Sequence, residues 1–163
     1  MLALEILDIK DFTSKLFVGN VFDTFCLSEA AFTTFLTCTI DGKLKKDFFD
    51  SVQAPDDRSL SLWSEVKPYC YTLIRGRRTP LHFKIVFQLS PKNTEKMLHS
   101  SGASLTAEDV FGLFLNCQFE KGRLICTTGT SLKVFSTDRT VDQLWDDLVR
   151  RFFRQQKISF EER

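Results

Sequence analysis

The residues best suited to chemistry in this chain are arginines. The planar guanidinium group matches the geometry of phosphate and carboxylate groups, and three arginines fall within the short string RGRRTP. The surrounding segment, 66–94, contains no aspartate or glutamate, yet it carries Lys67, Arg75, Arg77, Arg78, Lys84 and Lys92. We therefore predict an anion-binding site made of Arg75, Arg77, Arg78 and Lys84. The alternative is that these cations decorate a helix end and a solvated turn.

Acid–base catalysis has fewer candidates. The chain has two histidines, His82 and His99, and neither has a nucleophile at the spacing of a known catalytic motif. Two segments rich in small and hydroxyl residues, 100–104 and 129–133, are predicted to be loops; such loops can cradle a phosphate, but the same residues make ordinary turns. A small enzyme with a site near His82 is therefore kept as a second alternative for the function.

The cysteines are predicted to be buried thiols rather than ligands or redox centres. Their number is odd, no CxxC, HxH or HxxxH pair occurs, and each lies in an apolar segment: Cys26, Cys38, Cys70, Cys117 and Cys126. We accordingly predict no metal site and no cofactor. Unpaired thiols are typical of a reducing compartment, and the N-terminal string MLALEILDIKD has acids where a signal peptide needs cations, so we predict a cytoplasmic location.

Hydrophobic periodicity predicts an α+β fold. Helices are expected after Asp8, over Trp63–Ile74, after the Ser90-Pro91 pair, and from a Thr140–Gln143 capping box to the end of an amphipathic stripe. The clearest strand is LHFKIVFQL, which places five apolar side chains on one face: Leu81, Phe83, Ile85, Phe87 and Leu89. Because the other face is polar, we expect an antiparallel sheet with helices packed on one side.

Two dipeptides predict tight hairpins between strands. Asp41-Gly42 follows a strand-like region that starts near residue 22, and Lys121-Gly122 would pair Cys117 with Cys126. A further short strand is expected at about 131–136.

The two hairpin regions also resemble each other. FLTCTIDGKL at 35–44 returns as FLNCQFEKGRL at 114–124, and two shorter pairs recur in the same order, LDIKD with LSPKN and LWSEV with LWDDL. We predict one domain over 1–163, built either without a repeat or as two closely packed repeats, about 2–75 and 80–156. Each repeat would be a β-α-β-β-(β)-α unit. The alternative to a duplication is that amphipathic elements resemble each other by chance.

Five strings together, LDIKDF, TIDGKL, EVKPYC, TPLHFKIVFQL and CTTGTSLKVF, resemble an uncharacterised protein family of clostridial bacteria (Firmicutes). The resemblance covers essentially the whole chain. That family has no assigned function, so the resemblance implies a bacterial protein and transfers no functional residue.

Composition narrows the function without identifying it. The formal net charge is +1, which argues against a general polyanion binder but leaves room for a local basic site. We predict a non-enzymatic binding or assembly module, whose partner is a protein or a second copy of the chain and not a membrane. The first alternative is a nucleic-acid- or anion-binding protein that uses the basic 67–84 surface.

Overall fold

One antiparallel sheet organises the chain. The computed structural model describes residues 1–49 and 58–163, and within them the sheet has seven strands in the order β3-β2-β4-β5-β6-β1-β7. The strands are β1 (Ala3–Ile6), β2 (Cys26–Thr33), β3 (Thr37–Asp41), β4 (His82–Gln88), β5 (Val110–Glu120), β6 (Arg123–Leu132) and β7 (Phe160–Glu162). The helices in this part of the chain are α1 (Ile9–Phe17), α2 (Trp63–Ile74), α3 (Pro91–Ser101) and α4 (Thr140–Gln155). The predicted α+β fold is confirmed.

The helices cover one face of the sheet, as predicted. On β4 the side chains of Phe83, Ile85 and Phe87 are buried, while the alternate residues are half-buried on the uncovered face. The amphipathic stripe of α4 supplies a matching set of buried side chains, Val141, Trp145, Val149 and Phe153. The apolar side chains that recur every two residues on the strand and about every 3.6 residues on the helix therefore pack together in one core.

Two buried tryptophans tie helices into this core by hydrogen bonds. The indole Nε1 of Trp63 on α2 donates to the carbonyl of Leu16 on α1 at 2.7 Å. The indole Nε1 of Trp145 on α4 donates to the carbonyl of Phe114 on β5 at 2.9 Å. Since a buried indole N–H without a partner is costly, each bond helps to define how its helix sits.

The second predicted hairpin is confirmed with its register. Lys121 and Gly122 both have positive φ, 52° and 75°, as the two-residue turn requires. Glu120 pairs with Arg123, and Cys117 pairs with Cys126, with 3.5 Å between the two sulfur atoms.

The first predicted hairpin is wrong. The chain turns at 34–36 instead, where the N–H of Thr34 donates to the carbonyl of Leu36, and β2 pairs with β3 from that turn. Gly42 serves another purpose: a Cβ on it would lie 1.8 Å from the carbonyl oxygen of Leu27, so the glycine permits a close approach of two backbones. The polar string DSVQAPDDRSLS predicts a solvated loop over residues 50–61, and the part of it at 50–57 lies outside the described residues.

Two further local predictions are corrected. No separate strand occupies 131–136 in the described chain, because β6 continues to Leu132 and pairs along the whole of β5. The segment 129–133 is therefore mostly strand and not a phosphate-binding loop. The last helix is not capped by Thr140; Asp138 accepts hydrogen bonds from the backbone and hydroxyl of Thr140 instead.

The order β-α-β-β-α occurs twice along the chain, from β1 to α2 and from β4 to α4. The strands of the two predicted copies are arranged differently in the sheet. In the second copy β4 lies beside β5, whereas in the first copy β1 lies between β6 and β7 and not beside β2. The predicted duplication stays a prediction, and superposing 7–74 on 89–153 tests it.

Candidate anion-binding surface

The three predicted arginines lie on the loop between α2 and β4. Arg75 follows the last residue of α2, and Arg77 and Arg78 follow Gly76, whose φ of 142° suits a glycine. All three side chains are exposed. The loop thus projects from the end of the sheet at which β4 begins.

Apolar side chains are exposed at the same end of the sheet. The N–H of Leu81 donates to the carbonyl of Thr33 at 2.9 Å, which joins the end of the arginine loop to the base of the β2–β3 turn. Phe35 in that turn is 95% exposed and Leu81 is 69% exposed. We name this surface the basic tip; its members are Phe35, Leu36, Arg75, Arg77, Arg78 and Leu81.

The charges of the basic tip are not compensated within the described chain. In residues 1–49 and 58–163, none of Arg75, Arg77 and Arg78 takes part in an ion pair or a side-chain hydrogen bond. The turn 34–36 and the loop 75–81 contain no acidic residue. A guanidinium group without a local partner keeps its donors available for an external anion.

Two other cations of the acid-free segment are engaged in the fold. Lys84, the fourth predicted site residue, lies on the uncovered face of β4 with its Nζ 3.8 Å from a carboxylate oxygen of Glu29. Lys67 is largely buried, and its Nζ donates to the carbonyl of Gly19 and to the carboxylate of Asp23, both at 2.7 Å. The predicted 67–84 surface is therefore divided, and its cations without a partner among the described residues are those of the loop.

The two histidines lie on different elements, His82 on β4 and His99 on α3. His82 is half-buried on the uncovered face, where it aligns with Thr33 on β2 and Glu120 on β5. The hydroxyl-rich residues of β6 are not next to His82, because Thr128 pairs with Leu115, toward the other end of the sheet. No hydrogen bond joins either imidazole, His82 or His99, to another described side chain.

Most of the thiols are buried. Four of the five cysteines are buried and Cys38 is half-buried on β3, which confirms the prediction of thiols in apolar surroundings. Burial raises the pKa of the Cys70 thiol to about 12, and burial together with the neighbouring Cys117 thiol raises the pKa of Cys126. Thiols held in the protonated form are poor nucleophiles and poor metal ligands. Among the described residues, no three His, Cys, Asp or Glu side chains converge as metal ligands would.

Sequence reasoning missed the apolar members of the basic tip. Alternation predicts that Leu81 shares a face with Phe83, and that Leu36 shares a face with Cys38. Leu36 and Leu81 both lie just outside the strands, where the pleat no longer controls the side-chain direction. The 17 phenylalanines of the chain predict a Phe-rich core, and Phe35 is an exception to that prediction. The wrong turn prediction at Asp41-Gly42 is the reason, because a turn at 34–36 places Phe35 at the exposed end of the hairpin.

The protein is an α+β protein with one antiparallel sheet, which is covered by helices on one face and carries the basic tip at one end. The chain matches the family of unknown function DUF5721 over residues 15–161, and it belongs to that family. No curated protein and no solved structure shows significant similarity to it. In the described part of the chain, no helix has the length and apolar character needed to cross a bilayer.

Proposed function

We propose that the protein is a non-enzymatic binding module that contacts its partner through the basic tip. The observation that carries the proposal is the combination of three exposed arginines that have no ion-pair partner among residues 1–49 and 58–163 and the exposed ring of Phe35 at the same end of the sheet. A solvated helix end explains Arg75 alone, since Arg77 and Arg78 lie beyond α2 and the last turn of α2 carries no basic residue.

The ligand class that fits this surface best is a single-stranded nucleic acid. Arginine pairs with phosphate oxygens, and an exposed aromatic ring provides a stacking face for an unpaired base. The net charge of +1 means that attraction is local rather than a property of the whole surface. Binding through about three phosphate contacts would give a salt slope of about −2 for a single strand.

Fluorescence anisotropy of a labelled oligothymidylate, measured over a range of salt concentrations, tests this proposal. The doubly substituted variant Arg77→Glu/Arg78→Glu should lose at least about 100-fold in affinity at low salt, because two contacts become repulsive. Phe35→Ala should weaken binding by about tenfold without changing the salt slope, since it removes stacking and no charge.

The matched control is Lys133→Glu/Arg151→Glu, which makes the same change in net charge at exposed positions outside the basic tip. If both double variants weaken binding equally, the effect belongs to net charge and the proposed site is wrong. If the unmodified protein shows no salt-dependent binding to oligothymidylate, the nucleic-acid ligand is wrong.

The proposal includes a cytoplasmic location in a clostridial bacterium. It is supported by five free thiols, which suit a reducing compartment, and by the resemblance of the sequence strings. The enzymatic alternative at His82 receives no comparable support, because its imidazole has no described hydrogen-bond partner to orient it or to exchange a proton.

A further inference from the structure

The two edges of the sheet are built differently. The β7 edge has three residues, two of them glutamates, and its Glu162 is paired with Arg150. The β3 edge has five residues, TCTID, with neither proline nor lysine. Proteins commonly protect an edge strand by shortening it or by adding charge or proline. By this criterion β7 is protected and β3 is open over residues 37–40.

The hydrogen-bonding groups on the outer side of β3 can be assigned from its pairing with β2. The N–H of Gly42 donates to the carbonyl of Ser28, so the main-chain groups of Gly42, Ile40 and Cys38 point toward β2. Because direction alternates along a strand, those of Thr37, Thr39 and Asp41 point outward. No group in residues 1–49 or 58–163 hydrogen-bonds to them.

We infer that β3 is the interface of a homodimer, in which two copies of the chain pair antiparallel about an axis at Thr39. In this register Thr39 faces Thr39 of the second copy, and Thr37 faces Asp41. The outward N–H and C=O groups of these three residues in each copy then form six inter-chain hydrogen bonds. The two seven-stranded sheets become one continuous sheet.

The side chains of β3 are complementary in this register. On the helix-covered face the half-buried Cys38 meets Ile40 of the second copy, which extends the apolar core across the axis. On the uncovered face the Asp41 carboxylate meets a Thr37 hydroxyl. Asp41 is already paired with Lys45 at 3.1 Å, and no like charges face each other. This complementarity favours a second copy over an unrelated strand.

The inference goes beyond the proposed function, because β3 contains no member of the basic tip. Oligomeric state and oligonucleotide affinity are separate measurements, so each idea can fail alone. In the proposed assembly the two basic tips lie on opposite sides of the two-fold axis, because each lies at the end where β3 begins in its own copy.

Sedimentation velocity of the full chain over a concentration series tests the dimer. We expect a reversible transition to twice the chain mass of 18.8 kDa. Thr39→Pro removes the outward N–H at the axis but no bond to β2, and proline is tolerated on an edge where its nitrogen faces solvent. It should weaken dimerisation at least about tenfold. Thr39→Val retains the N–H and should dimerise like the unmodified chain.

Oxidative cross-linking tests the register. Cys38 and Ile40 of the second copy form a non-hydrogen-bonded pair, the closer type of antiparallel pair, so Ile40→Cys should give a covalent dimer through the native Cys38. Cys38→Ser/Ile40→Cys should not cross-link. Circular dichroism confirms that each variant is folded.

A monomer at all concentrations would overturn the inference. So would a dimer that Thr39→Pro leaves intact, or a dimer that Ile40→Cys fails to cross-link, because the interface would then lie elsewhere or in another register.

Discussion

The basic tip and the opposite margin of the sheet contain the same types of residue and use them differently. At the margin formed by β1, β6 and β7, Glu5 accepts from Arg123 and pairs with Arg163, with 2.9 Å between nitrogen and oxygen in both cases. Phe160 packs on Phe153 with 5.9 Å between the ring centres, whereas Phe35 at the tip is exposed.

Residue type therefore does not determine whether an arginine or a phenylalanine stabilises the fold or remains exposed. The fold itself supplies partners to the cations and rings of the margin, so they contribute to stability. At the tip the described residues supply none, so charge and apolar surface stay available to a ligand. Substitutions should therefore lower the free energy of unfolding at the margin and leave it unchanged at the tip.

The largest contrast should come from the two phenylalanines. Phe160→Ala removes a half-buried ring that contacts the core and should lower the free energy of unfolding by about 2 kcal/mol. Phe35→Ala removes an exposed ring and should change it by less than about 0.5 kcal/mol. Urea denaturation followed by circular dichroism measures both. A comparable loss in the two variants would show that the ring of Phe35 stabilises the fold as much as that of Phe160.

An intermediate effect is expected within the acid-free segment itself. Lys67→Met leaves the carboxylate of Asp23, 25% exposed, without its cation and should cost about 1–2 kcal/mol of unfolding free energy. The matched Arg77→Met should cost less than about 0.5 kcal/mol, since Arg77 is exposed and has no described partner. Equal costs would mean that the loop arginines stabilise the fold after all.

The smallest effect should be a pH dependence at the margin. A hydrogen bond from Arg123 lowers the pKa of Glu5 below its ordinary value of 4.5. The ionised form therefore stabilises the fold above that value, and the contribution is lost as pH falls through the lowered pKa. Glu5→Gln should lower the melting temperature slightly at neutral pH, and the difference should disappear in acid.

The control for the pH experiment is Arg77→Gln, whose melting temperature should follow that of the unmodified protein at every pH. A Glu5→Gln difference that persists unchanged below the lowered pKa would show that ionisation of Glu5 is not its cause.

Local patterns predicted much of the fold. The Lys121-Gly122 hairpin, the caps of α1 and α3, and the stripe of α4 follow from interactions within a few residues, so the sequence is sufficient to place them. The Asp41-Gly42 hairpin failed because glycine meets two needs, positive φ and close backbone approach. The second need depends on Leu27, on another strand, and no local pattern reveals it.

The candidate site was predicted in part. The run of cations predicts the arginines of 75–78 correctly as one group. The same pattern includes Lys67 and Lys84, but Lys67 pairs with Asp23 and Lys84 pairs with Glu29. The acids that neutralise a cation can come from any part of the chain. An acid-free segment is therefore a weaker signal than an acid-free surface.

The amino-acid pattern alone was sufficient for the class of fold and for the covered faces of β4 and α4, because hydrophobic period and turn chemistry act over short distances. Three features follow from the three-dimensional fold instead: which strands are neighbours, which cations lack a partner among the described residues, and that Phe35 lies at the same end of the sheet as the arginines. Those outcomes depend on contacts between residues far apart in the chain, and their energies are set when the core closes.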